Sequence, residues 1–117
     1  MDQRTTGMLM AFTNCMDPDQ EDDYNRCYTE THIQQHLNTG CFFKATHYVA
    51  LDPEPGDAKH PVIYETDFDN PLDTRPILSK SSHDRKHHPE MGVKFSGTFK
   101  LEEVHFGGSM IPAKVGN

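Results

Sequence analysis

Residues 17–40 read DPDQEDDYNRCYTETHIQQHLNTG, and this stretch sets the frame for the rest of the chain. Asp17 is suited to cap a helix, Pro18 to fill its first position, and Gln20 to stand where a capping box takes Glu or Gln. Asp19, Glu21, Asp22 and Asp23 then set negative charge at the positive end of the helix dipole. Tyr24, Cys27, Tyr28 and Thr31 recur at i, i+3, i+4 and i+7, the spacing of one helical face. Ile33 and Leu37 do not continue that stripe. At about 100° per residue they fall on nearly the opposite side. The phase change predicts a break or bend near His32, with a short second helical piece ending at Asn38-Thr39-Gly40. His32 would then stand where the first piece ends.

The flanks read as strands. Met8–Thr13 is a short apolar run between a glycine and the turn expected over Asn14–Asp17. Cys41–Leu51 is apolar, aromatic and β-branched, and predicts a second strand. Asp52–Pro61 holds three prolines and a glycine and reads as loop. Val62–Phe68 predicts a third strand. Asp69–Asp73 repeats the look of a helix start, with a helix from about Leu72 to Ser82 and Pro76 near its beginning. Ser81–Pro89 is polar and histidine-rich, a loop. Lys94–Phe106 alternates as a fourth strand, with Phe95, Gly97, Phe99 and Leu101 on one face and Lys94, Ser96, Thr98 and Lys100 on the other.

The order is strand, helix, strand, strand, helix, strand. It predicts an α+β, ferredoxin-like βαββαβ domain with a four-stranded antiparallel sheet, spanning residues 1–117. Residues 1–6 and 107–117 are expected to be flexible or extended. Both helices would cover one sheet face. The other face must be buried elsewhere, and a second copy of the chain is the expected cover, giving a homodimer.

Composition narrows the function classes. A chain of 117 residues is the size of one domain. The formal net charge is −7, with eleven Lys and Arg scattered among eighteen Asp and Glu. Proteins that bind nucleic acid or anionic membranes cluster basic residues, so neither partner is expected. No apolar run approaches the ~20 residues of a membrane helix. Met8–Phe12 is too short an apolar run for a basic-then-apolar signal segment, so secretion is not expected. Cys15, Cys27 and Cys41 are an odd number with no CxxC spacing, which fits a reducing, cytoplasmic setting rather than a disulfide framework.

With these elements in place, the stretch from Asp23 to Ile33, then Gly40-Cys41-Phe42 and Ala45-Thr46-His47-Tyr48, resembles the dimeric α/β-barrel superfamily. Many members carry an acidic-aromatic helix ending in Tyr-x-x-x-His, then a glycine-bearing loop and an aromatic second strand. The likeness extends loosely to Tyr64-Glu65. The chain departs from the common pattern at Cys27, where many relatives have Trp, at Gln34, where Pro is usual, and at Thr39 before Gly40. The superfamily includes EthD-like proteins, antibiotic-biosynthesis monooxygenases, polyketide cyclases, isomerases, dehydratases, decarboxylases and haem-degrading enzymes. The resemblance implies the fold and dimerisation more than any one reaction. It also implies a pocket between helix and sheet that the histidine matching His32 often lines.

Seven residues are candidates for that pocket. A neutral imidazole at His32 can move a proton from a carbon acid or phenol, or can simply tie the helix end to a carbonyl. Tyr28 and Tyr24 share a helix face with each other, lie beside His32, and offer phenols to a developing oxyanion, or pack in the core. Asn14 can orient a substrate carbonyl or serve turn chemistry. His47 and Tyr64 reach the same pocket only if their strands keep register. His36 stands i+4 from His32, the spacing of a metal pair, and His83, His87 and His88 could add ligands. A bend near His32 would spoil that pairing, so no metal is expected. No Walker loop, GxGxxG, GxSxG or HExxH motif occurs, and no cofactor is expected.

The resulting expectation is a small cofactor-independent enzyme. His32, Tyr28 and Asn14 would act on a small hydrophobic, aromatic or polyketide-like carbonyl compound, with Tyr24, His36, His47 and Tyr64 around it. The step would be that of a lyase, cyclase, isomerase or dehydratase. A cofactor-free monooxygenase on a phenol and a non-catalytic ligand-binding or stress-response module are the alternatives.

Overall fold

An Asx-Pro pair opens each helical segment. Asp17 accepts a hydrogen bond from the Asp19 amide (3.0 Å), and Asn70 accepts one from the Leu72 amide (3.1 Å). Each pair starts a 3₁₀ turn, Pro18–Gln20 and Pro71–Asp73, that leads into an α-helix. The Gln20 amide reaches the Asp17 carboxylate (3.3 Å), in place of the reciprocal backbone bond of a capping box.

The computed structural model describes residues 4–81 and 91–107. Its elements run β1 (Gly7–Cys15), α1 (Glu21–Cys27), a π turn (Tyr28–His32), α2 (Ile33–Leu37), β2 (Lys44–His47), β3 (His60–Thr66), α3 (Thr74–Lys80) and β4 (Met91–Lys100). The four strands form one antiparallel sheet in the order β2-β3-β1-β4. The chain is therefore α+β, and its element and strand order is compatible with a ferredoxin-like arrangement.

The bend expected near His32 takes the form of the π turn. The Ile33 amide bonds the Tyr28 carbonyl five residues back, so the chain stays helical through residues 21–37. In an unbroken α-helix, every fourth residue drifts by about 40°, since 3.6 residues make a turn. Tyr24, Tyr28, His32 and His36 would spread over roughly 120°. The wider π turn takes back part of that drift. All four are buried, as is Ile33, while Cys27 and Thr31 of the expected stripe are only half-buried. His32 thus lies inside the helical run, and His36 keeps its place beside it. Gly40, at φ +83°, ends the run as expected.

Strand ends are set by partners. β4 stops at Lys100 because β1 begins at Gly7, its register partner. Beyond it, Leu101 still donates to the Thr6 carbonyl (2.8 Å), and residues 101–107 are exposed and irregular. β2 is shorter than Cys41–Leu51, because Cys41 and Phe42 turn into the core while Val49 and Leu51 lie exposed. At the same end of the sheet as Lys100, Thr5 and Thr6 are tied to Glu65 and Thr66, so this part of the N-terminal segment is held rather than frayed.

A β-bulge separates Phe12↔Phe95 from Thr13↔Val93. Opposed residues share a sheet face, so without the bulge Thr13 would face Lys94. The extra residue leaves Lys94 exposed and sets Val93 and Met91 on the sheet face that lines the cleft with Tyr28, His32 and His36. Leu9, Ala11, Thr13, Val62, Tyr64, Ala45 and His47 share that helix-covered face. The opposite face carries Met8, Met10, Phe12, Ile63, Phe95 and Phe99, with Phe12 and Phe95 edge to face at 5.7 Å.

Candidate functional site

The core between helix and sheet is unusually polar. Its buried apolar members are Tyr24, Tyr28, Ile33, Cys41, Phe42, Val62 and Tyr64, and Thr13, His32, His36, His60, Thr66 and Thr74 are buried among them. The rings form a continuous ladder. His60 lies 6.0 Å from Tyr24, Tyr24 5.4 Å from Tyr28, Tyr28 5.0 Å from His32, and His32 4.6 Å from His36. His36 then stacks on Tyr64 at 4.7 Å and 18°. His47 touches the ladder at Tyr28 (5.7 Å) and His60 (5.5 Å). Four-residue spacing on the helix and two-residue spacing on β3 bring these groups together.

Each polar atom in the ladder has a definite environment. The Tyr24 hydroxyl shares a hydrogen bond with the Thr13 hydroxyl at 2.5 Å, and burial pushes its pKa well above the ordinary value. Burial also raises Tyr28, with the Thr13 hydroxyl offsetting part of the rise. The Tyr28 hydroxyl is buried and makes no hydrogen bond among the described residues. Burial lowers the pKa of His47, and neighbouring His60 lowers it further. The His47 Nε2 atom is buried without a hydrogen bond. His60 Nε2 meets the Glu21 carboxylate at 2.7 Å, joining the start of β3 to the first turn of α1. The His36 Nδ1 atom lies 3.2 Å from the His32 carbonyl oxygen.

Beside this ladder, between the helix and the β1–β4 edge, is a cleft of about 180 Å³. Thr13, Tyr28, His32, His36 and Ser96 supply its polar lining, and Leu9, Ala11, Met91 and Val93 its apolar walls. A second crevice, among Tyr24, Cys27, Tyr28, His32 and Met91, is too tight to admit water.

Of the seven candidate residues, the structure brings Tyr28, His32 and His36 to the cleft. Tyr24, His47 and Tyr64 stand behind them as ring neighbours. Asn14 is elsewhere: its amide nitrogen donates to the Asp57 carbonyl (2.7 Å) and its oxygen accepts from the Lys59 amide (3.1 Å), clasping the loop before β3. His83, His87 and His88 lie outside the described residues. Among the described residues, no group of three or more His, Cys, Asp or Glu is placed to hold a metal ion. No described helix is long and apolar enough to cross a membrane.

Sequence reasoning missed His60, which follows a proline-rich loop and whose partner Glu21 is 39 positions away. It also missed Thr13 and Ser96 at the cleft. Strand alternation could have found Thr13, since Leu9, Ala11 and Thr13 occupy one face of β1.

Fold and site together define an α+β protein with a histidine- and tyrosine-lined cleft under its main helix. Compared with known protein families, curated proteins and solved structures, the chain matches none.

Proposed function

We propose that this chain is a small enzyme that needs no cofactor and performs histidine acid/base chemistry on a hydrophobic carbonyl compound. The observation that carries this reading is the convergence of Tyr28, His32 and His36 on one cleft with apolar walls. A cavity of about 150 Å³ accepts benzene, so a cleft of about 180 Å³ suits a single-ring aromatic or a short polyketide-like compound. His32 exchanges a proton with the substrate. Tyr28, kept protonated by burial, is a hydrogen-bond donor for the oxyanion that develops. Such chemistry is that of a lyase, isomerase, cyclase or dehydratase. Asn14 has no part in it, because its amide is committed to the loop.

Exchange of the α-protons of acetophenone in D₂O, followed by NMR, tests the reading without the natural substrate. The wild-type chain should accelerate exchange over buffer, and His32→Ala should lose about 100-fold or more of that rate while still folding. No acceleration by the wild type would refute the acid/base reading. Oxygen uptake with a phenol, and no exchange with the ketone, would move the reading to a monooxygenase.

The same reading places a second copy of the chain over the open sheet face, giving a dimeric α/β barrel. Phe95 and Phe99 are 45% and 44% exposed there, beside Met8, Met10, Phe12 and Ile63. Lys44 and Glu65, 3.5 Å apart at the margin of this face, offer both charges to a two-fold contact. Light scattering should give twice the chain mass, reduced to one by Phe95→Lys. A wild-type monomer would refute the dimer. Cys15, Cys27 and Cys41, none in a disulfide among the described residues, suit a reducing, cytoplasmic setting.

A further inference from the structure

We infer that His36 is the proton-accepting base of the cleft and that His32 holds the complementary proton, an inference that rests on the acid/base reading above. A carbonyl oxygen can only accept a hydrogen bond. The 3.2 Å contact between His36 Nδ1 and the His32 carbonyl therefore puts the proton on Nδ1. In the neutral ring, Nε2 is then the basic nitrogen. The ring plane is set from one side by the stacked Tyr64, at 4.7 Å and 18°. His36 is buried, yet it lines the cleft, so its basic nitrogen works in a largely desolvated setting. These are the features of a base oriented by a second group.

The neighbouring ring decides the other half of the pair. The His32 and His36 ring centres are 4.6 Å apart, and two imidazolium charges at that distance repel. The pair therefore functions with one transferable proton between the two rings. In the exchange reaction, His36 Nε2 takes the α-proton and the C–H electron pair becomes the enol double bond. The carbonyl oxygen meanwhile takes the proton from His32. Reversal returns the oxygen's proton to His32 and delivers a solvent-derived deuteron from His36 to carbon. His32 and His36 meet because four α-helical residues separate them, and the π turn before them brings that side of the run back toward the side that carries Tyr24 and Tyr28.

The test has two readouts on the full-length chain. Long-range ¹H–¹⁵N correlation at pH 8 should show His36 with a protonated, pyrrole-type Nδ1 and an imine-type Nε2. A protonated Nε2 with an imine-type Nδ1 would overturn the inference, whatever the variants do. In the acetophenone exchange assay, His36→Gln should lose about 100-fold or more in rate, with binding of acetophenone changed only a few-fold. Should His36→Gln fail to fold, His36→Asn replaces it, and the wild-type tautomer still decides. Wild-type exchange in a folded His36 variant, with His32→Ala inactive, would sink the base assignment and leave the acid/base reading standing. No exchange by the wild type would remove both.

Discussion

Raising the pH above 10 should unfold this protein in a way that Tyr24 and Tyr28 control. Both phenols are buried, and burial raises both pKa values above the ordinary 10. Above that pH the unfolded chain releases the two protons while the folded chain keeps them. The folded state then binds more protons, so stability falls as pH rises. One retained proton costs about 1.4 kcal/mol per pH unit, so over two units Tyr24 alone removes roughly 2–3 kcal/mol, and Tyr28 adds to the loss in the same direction. A 117-residue domain holds roughly 6–18 kcal/mol in all, so the loss is large enough to see and can be decisive. Urea denaturation at a series of alkaline pH values gives the slope. Tyr24→Phe should flatten it by about 1.4 kcal/mol per unit, and Tyr28→Phe should flatten it in the same direction. Identical slopes in the wild type and both variants would refute the claim that these protons are held by burial. The outcome bears on the site, since Tyr28 must keep its proton to act as a donor.

On the acid side, the lowered pKa of His47 means that below about 6.5 the unfolded chain takes up a proton the folded chain refuses. Stability should therefore fall with pH in that window, by at most about 1.4 kcal/mol per unit from this group. His47→Gln should weaken the dependence in thermal melts, and an unchanged slope would rule it out. Glu21→Gln removes the charge from the 2.7 Å contact with His60 and should cost about 1.5–3 kcal/mol in urea denaturation at pH 7. A Cβ on Gly7 would strike the Phe99 carbonyl and the Pro71 ring, so Gly7→Ala should cost about 1–3 kcal/mol and lower Tm. An unshifted melt would mean that the β1–β4 edge can give way there.

Local chemistry carried much of this fold. Asp17-Pro18 and Gly40 bracket the main helical run in the sequence as they do in space. The alternation of Phe95, Gly97 and Phe99 placed them together on the face away from the helices. Tyr28 and His32 were legible as candidates, Tyr28 from the helical stripe and His32 from the phase change after Thr31, and both line the cleft. The phase conflict between the Tyr24 stripe and Ile33 was legible too, but not its resolution. A break and a π turn both answer it. The continuous sheet beneath, able to bury Tyr24 and Tyr28 together with Ile33, favours the turn that keeps the helical run unbroken.

What the sequence by itself determined, then, is the succession of strands and helices, the capped helix starts, and the glycine that ends the main helical run. Those features rest on dihedral preference, capping and periodicity, all set within a few residues. Only the tertiary structure decided the rest. Strand lengths came from partners, as β4 ends where β1 begins. The bulge after Phe12 chose Val93 over Lys94 for the cleft side. His60 joined the ladder through Glu21, and Asn14 left the site for a loop 43 residues further on. Each of these depends on pairings between distant residues, whose geometry no local pattern encodes.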